Sequence, residues 1–152
     1  MADGDASRFI GGPQARQQAW RGFMTVAGCW AMNGYGMFSV IEKSTGDWLG
    51  RVGPWFPADW PAAEVGWGLV PAAQGKGYAV EAATATIDWV FEALGWTEVI
   101  HCIDPQNTAS QNVARRLGSR LLRRQHLPPP YQELEVDVWG QSRETWRSRQ
   151  TA

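Results

Sequence analysis

Apolar residues recur along this chain with two periods, and the periods divide it into helices and strands. Between Pro13 and Asn33, Trp20, Phe23, Ala27 and Trp30 fall three or four residues apart, with Gln17, Gln18 and Arg21 off that stripe. Such spacing predicts an amphipathic helix, ended by Asn33-Gly34. Met37 to Lys43 reads as a strand, Ser44-Thr45-Gly46-Asp47 as a turn, and Trp48 to Trp55 as a second strand, so the three form a hairpin. Phe56 to Ala62, with Pro57 and Pro61, is a loop carrying Trp60. From Glu64 the period is two: Val65, Trp67 and Leu69 alternate with Glu64, Gly66 and Gly68, as a half-buried strand requires. Pro71 has no N–H for the ladder and ends it.

The second half alternates helices and strands. Tyr78 to Leu94 is the clearest helix, with Val80, Ala83, Ile87, Val90, Phe91 and Leu94 on one face and Glu81, Ala85, Asp88 and Glu92 on the other. Gly95 follows it. Glu98 to Ile103 is a strand, Asn107 to Leu117 a short helix stopped by Gly118, and Arg120 to Gln125 a strand. His126 to Pro130 is a proline loop, Glu133 to Trp139 a last strand, and the tail from Ser142 a terminal helical turn. Residues 1 to 12 give no element. The order predicts an α/β fold, a mixed sheet with helices on its faces. With no repeat, linker or second core, residues 1–152 are expected to form a single domain.

Composition narrows the function. With 44% hydrophobic and 19% charged residues, the chain has a globular composition and not a disordered one. A net charge of −1 provides no footprint for nucleic acid or an anionic membrane. No apolar run is long enough to span a bilayer, and Met-Ala-Asp-Gly-Asp is not a signal peptide. Cys29 and Cys102 lack metal-like spacing and read as buried free thiols in a reducing cytoplasm, the expected location. The 10 tryptophans read as core or groove lining and carry no chemistry by their number alone.

The candidate chemistry lies between the central strand and the long helix. Gln74-Gly75-Lys76-Gly77-Tyr78-Ala79 is a glycine loop leading into a helix start. Glycine allows close approach to the main chain, and a helix start offers unpaired N–H groups at the positive end of its dipole. Together they make a seat for a phosphate or pyrophosphate. Gly77 after Lys76 breaks the P-loop pattern, and the three spaced glycines of a dinucleotide fingerprint are absent. What remains is Gln-x-x-Gly-x-Ala, carried by Gln74, Gly77 and Ala79.

That pattern resembles the acyl-CoA pyrophosphate loop of the GNAT superfamily of N-acetyltransferases. A second stretch, Asp104 to Gly118, is similar to the family's Asn-x-x-Ser…Leu-Gly segment, with Asn107, Ser110, Leu117 and Gly118 in place. The ribosomal-protein alanine N-acetyltransferase group is nearest in character, through Asp137-Val138-Trp139 and Ser142 to Trp146. The resemblance covers roughly Phe9 to Trp146. It implies a mixed, mostly antiparallel sheet whose central strands, Glu64–Val70 and Glu98–Ile103, splay apart. Into that gap the pantetheine arm of acetyl-CoA would bind like an added strand. The main chain of Leu69 and Val70 would meet the pantetheine and the thioester carbonyl. The N–H groups of Gln74, Gly75, Lys76, Gly77, Tyr78 and Ala79 would hold the pyrophosphate. Lys76 would neutralise phosphate charge or be a solvated lysine; Asn107 would contact pantetheine or cap the short helix.

The implied reaction is direct transfer of an acetyl group from acetyl-CoA to a primary amine, a protein N-terminal α-amine or a small amine. Glu64 is the candidate base, against the alternative of an exposed strand-end carboxylate. Ser110 is the candidate acid or thiol hydrogen bond, against a bond to its own helix. Many relatives place a tyrosine where this chain has Ala114, so Ser110 stands in its place. Trp55, Trp60 and Trp67 would line the acceptor site or simply pack, and His101 reads as structural. The resemblance implies an edge strand and helix before the Arg8–Gly12 region, close to where this sequence starts; the expectation is either a truncated reading frame or another segment or chain covering that edge. A homodimer fits that expectation. The rival reading is a catalytically silent acyl-CoA-binding module or regulatory subunit; a nucleotide-binding regulator is a third.

Overall fold

The computed structural model describes residues 8–9 and 12–150. The element-free start expected for the chain, and the edge strand expected to be missing, fall largely on residues outside that description. The described order is α1 (Arg16–Asn33), β1 (Phe38–Ile41), β2 (Trp48–Trp55), β3 (Glu64–Leu69), a 3₁₀ turn (Pro71–Ala73), α2 (Tyr78–Glu92), β4 (Glu98–Ile103), α3 (Thr108–Arg116), β5 (Arg120–His126), β6 (Glu135–Ser142) and α4 (Arg143–Gln150). Six strands form one sheet in the order β1-β2-β3-β4-β6-β5. Only β3 and β4 run parallel, and every other neighbouring pair is antiparallel. This is the mixed α/β sheet expected from the sequence.

The period-two pattern of β3 and the 3.6-residue pattern of α2 meet in the main core. Val52, Val65 and Val99 from the sheet pack against Ala83, Ile87, Val90 and Phe91 of α2. On the opposite face, Ile100, Val136 and Val138 pack with Leu127 and, at the border, Trp60 and Ala62. β6 ends at Ser142, three residues beyond the expected Trp139, because its pairing with β4 continues to Glu98↔Ser142. The expected terminal turn is a helix of eight residues, α4. Trp146 anchors it in the main core, and its indole donates to Asp88 at 2.6 Å.

α1 forms where periodicity places it, but its apolar stripe does not pack as expected. No residue of α1 is buried, and Trp20 and Phe23 are 62% and 63% exposed. At the C-terminal end Trp30 meets Phe38 and Trp89 edge-on or tilted and donates to the Met37 carbonyl at 3.1 Å. Cys29 and Cys102 are free and half-buried, not fully buried.

Candidate active site

β3 and β4 touch at one point and then separate. Their pairing consists of Glu64↔Ile100, with the Ile100 N–H donating to the Ala63 carbonyl at 2.9 Å. In a parallel ladder the bond after the next would run from the Cys102 N–H to the Val65 carbonyl. It is absent. The Cys102 N–H donates to Glu64 Oε1 at 3.1 Å, and the Val65 carbonyl accepts from His101 Nδ1 at 2.7 Å. Two side chains therefore satisfy the groups that the opened sheet leaves unpaired.

Beyond this point β3 presents free main chain. The Val70 N–H donates to the Leu49 carbonyl at 2.9 Å, so residue 70 faces β2. By the alternation of an antiparallel pair, Gly68 and Gly66 face β2 as well, while Val65, Trp67 and Leu69 point their N–H and C=O toward β4. Of the expected pair Leu69 and Val70, only Leu69 faces the gap; Trp67 is the second residue that does. The Leu69 carbonyl accepts from Gln74 Nε2 at 3.1 Å, which ties the start of the glycine loop to the strand. Sequence reasoning placed Gln74 by its motif and missed this bond.

Gly75 and Gly77 hold φ of +74° and +90°, which side chains with a Cβ rarely adopt. A Cβ built at either would meet nothing within 4 Å, so the loop is an open cradle. Gly77 stands at the N-cap of α2 without a side-chain cap, leaving the first N–H groups of the helix, from Tyr78 and Ala79 on, to an outside acceptor. Beside the loop lies a recess of about 400 Å³ lined by Glu42, Leu49, Val70, Lys76 and Tyr78 among others. The Tyr78 hydroxyl donates to Glu42 Oε1 at 2.6 Å, pinning the loop to the β1–β2 hairpin. Glycine cradle, open helix start and free strand edge fit the pyrophosphate and amide-bearing arm of an acyl-CoA.

Glu64 is a buried carboxylate, not an exposed strand-end group. It is 8% exposed and accepts from Trp60 Nε1 at 2.5 Å besides the Cys102 N–H. Burial pushes its carboxyl up to about 7, while those hydrogen bonds pull it down. Burial and the nearby carboxylate raise the Cys102 thiol, so it stays protonated. His101 is neutral, lowered to about 4 by burial. Because a carbonyl only accepts, its Nδ1 carries the proton, and Nε2 accepts from the Ser119 hydroxyl at 3.0 Å.

On the opposite face of the sheet, Asn107 caps α3 by accepting from the Ser110 N–H at 3.1 Å. Of its two expected roles, capping is the one the geometry contains. Ser110 Oγ accepts from Trp67 Nε1 at 3.2 Å, and the Trp67 ring lies 4.8 Å from that of His101. Trp67 thus stands away from Trp60, with which it was grouped as acceptor lining; strand alternation puts Glu64 and Trp67 on opposite faces. Ala114 is fully buried at the position where a tyrosine was the family expectation. Among the described residues no group of three metal-ligating side chains exists.

The sequence and the fold are similar to those of known proteins. Residues 1–120 match the family model of the acetyltransferase (GNAT) domain. Among curated relatives, YkkB of Bacillus subtilis (strain 168) is 34% identical over 102 residues, covering 62% of this chain and 59% of that protein. The uncharacterized N-acetyltransferase YnaD of the same strain is 37% identical over 57 residues, covering 38% and 34%. The chain thus matches less than two thirds of the length of either relative. The crystal structure of an acetyltransferase from Agrobacterium tumefaciens is similar at a TM-score of 0.76 and 31% identity, covering 93% of this chain and 85% of that one. The spermidine N-acetyltransferase of Vibrio cholerae, in complex with CoA and spermine, shares the fold at a TM-score of 0.75 and 13% identity, covering 96% and 87%.

Proposed function

This chain belongs to the GNAT family of acetyltransferases, and from that premise we propose that it transfers an acetyl group from acetyl-CoA to a primary amine. The observation that carries this reading is the gap between β3 and β4, held open by Glu64 and His101 and continuous with the glycine cradle. Acetyl-CoA supplies the thioester; the residues described here bind, orient and move protons. The main-chain groups of Trp67 and Leu69 bond the pantetheine arm, and one of their N–H groups meets the carbonyl oxygen as it gains charge. The loop N–H groups from Gly75 to Ala79 hold the pyrophosphate, with Lys76 beside it; the Gln74 N–H, expected to join them, is taken by the Pro71 carbonyl at 3.1 Å.

Glu64 takes a proton from the acceptor amine, directly or through one water. A carboxyl at about 7 is half ionised at neutral pH, which suits a general base. Ser110 hydrogen-bonds the departing sulfur. Base and thiol donor lie on opposite faces of the sheet, so the amine can enter from one side while the thiol leaves toward the other. The acceptor class, a small amine or a protein N-terminal α-amine, belongs to the proposal and is set by the loops flanking Trp60 and His126.

The test is release of free CoA thiol from acetyl-CoA across a panel of small amines and N-terminal peptides. Amine-dependent release is expected. Calorimetric CoA binding with no release for any amine would support the silent binding module, and absence of CoA binding would remove both readings.

A further inference from the structure

We propose that Trp67 is a positioning residue that makes Ser110 a donor into the gap, a step that rests on the reading of Ser110 given above. The indole N–H can only donate. By donating to Ser110 Oγ at 3.2 Å it fixes that oxygen as acceptor for one bond and leaves the hydroxyl proton to be given elsewhere. A helical serine commonly returns this proton to the carbonyl four residues back, here Gln106. Ser110 does not, and among the described residues its proton has no acceptor. The remainder of the residue is pinned, since its N–H bonds Asn107 Oδ1 at 3.1 Å.

Trp67 is itself held by its neighbours. Its ring lies against His101, centroids 4.8 Å apart and planes at 52°, and both His101 nitrogens are hydrogen-bonded, at 2.7 and 3.0 Å. Trp67 belongs to β3 and Ser110 to the helix that follows β4, so the indole–hydroxyl bond joins the two arms of the gap. An oxygen that accepts one hydrogen bond donates a stronger one. The natural recipient is the sulfur leaving acetyl-CoA. As the amine nitrogen bonds the acetyl carbon, the carbon–sulfur pair departs with sulfur, which accepts the Ser110 hydrogen bond. The amine proton leaves through Glu64 to solvent, and solvent returns one proton to the thiolate, so charge and protons balance.

The experiment is a double-mutant cycle with Trp67→Phe, Ser110→Ala and the pair, read as kcat and KM for acetyl-CoA. Trp67→Phe is expected to lower kcat by about two- to tenfold, the worth of one hydrogen bond, with KM unchanged. In the Ser110→Ala background the same change should cost nothing further, and Ser110→Thr, which keeps the hydroxyl, should restore the dependence on Trp67. Equal loss in both backgrounds, or no loss when Ser110→Ala is impaired, overturns the role of Trp67 and leaves that of Ser110 standing. An unimpaired Ser110→Ala removes both. Should Trp67→Phe fail to fold, benzothienylalanine at position 67, which replaces the N–H by sulfur at nearly the same shape, gives the same comparison.

Discussion

Glu64 and His101 each take one half of the hydrogen bond that would otherwise join Val65 to Cys102. The Glu64 carboxylate holds the Cys102 N–H at 3.1 Å, and the His101 imidazole holds the Val65 carbonyl at 2.7 Å. The Val65 carbonyl and the Cys102 N–H are thereby satisfied where the sheet opens, and the same carboxylate is the proposed base. The two duties separate on substitution. Glu64→Gln keeps an oxygen for Cys102, loses the base and turns its amide NH2 on the Trp60 N–H, so kcat should fall about a hundredfold or more with CoA affinity nearly unchanged and about 1–3 kcal/mol of stability lost. Glu64→Ala removes both duties and leaves the Cys102 N–H as well as the Trp60 N–H without an acceptor, which should cost more stability than Glu64→Gln. Turnover, calorimetry and thermal unfolding of the two variants check this; equal turnover of Glu64→Gln and wild type would remove Glu64 as base.

The rate should follow the ionisation of that carboxyl. Only ionised Glu64 can accept a proton, and burial sets its midpoint at about 7. The pH profile of kcat/KM is therefore expected to rise through about 7 and level off above it, and the limb should vanish in Glu64→Gln. A limb that survives in Glu64→Gln assigns it to another group.

Stability should respond to pH in opposite senses at the two residues. Folded Glu64 keeps its proton to about 7, whereas the unfolded carboxyl loses it near 4.5, so its contribution is complete below 4.5 and lost as pH climbs through 7. Folded His101 stays neutral down to about 4, whereas the unfolded imidazole takes a proton near 6.5, so its contribution is complete above 6.5 and lost as pH falls through 4. Between 4.5 and 6.5 the slopes oppose, each at most ~1.4 kcal/mol per pH unit for one proton. From this pair the wild type should show a nearly flat denaturant midpoint there. Glu64→Gln should instead gain stability as pH rises from 4.5 to 6.5. A flat profile in that variant would contradict a buried neutral His101.

What the sequence made legible was local. Period-two alternation located Glu64 to Leu69, and glycine spacing located the cradle, because both are dictated by neighbours along the chain. The partners of Glu64, Ser110 and His101 were not legible. Trp67 and Ser110 are 43 positions apart, and only the turn from β4 into α3 brings them together. His101 offered a weak signal, a titratable ring in an apolar strand, but its use in holding the gap depends on the register of β3 against β4. The stripe of α1 misled for a related reason. Spacing shows which residues share a face, and what covers that face is tertiary; among the described residues nothing covers Trp20 and Phe23.

The cradle can be tested apart from the chemistry. At φ +90° any residue but glycine pays backbone strain at Gly77, about 1–2 kcal/mol, while the space around its Cβ is open. Gly77→Ala therefore carries the strain with little bulk, and Gly77→Asp adds a carboxylate where phosphate would lie. If the loop holds the pyrophosphate, Gly77→Ala should weaken CoA binding modestly and Gly77→Asp should abolish it, with the two variants unfolding at similar temperatures. Matching thermal midpoints are essential, because they assign the difference in affinity to charge at the loop and not to loss of fold. Raised salt offers a second check: it screens exposed charges, so it should recover part of any binding that repulsion alone removes. Equal CoA affinity in the alanine and aspartate variants would place the phosphates elsewhere.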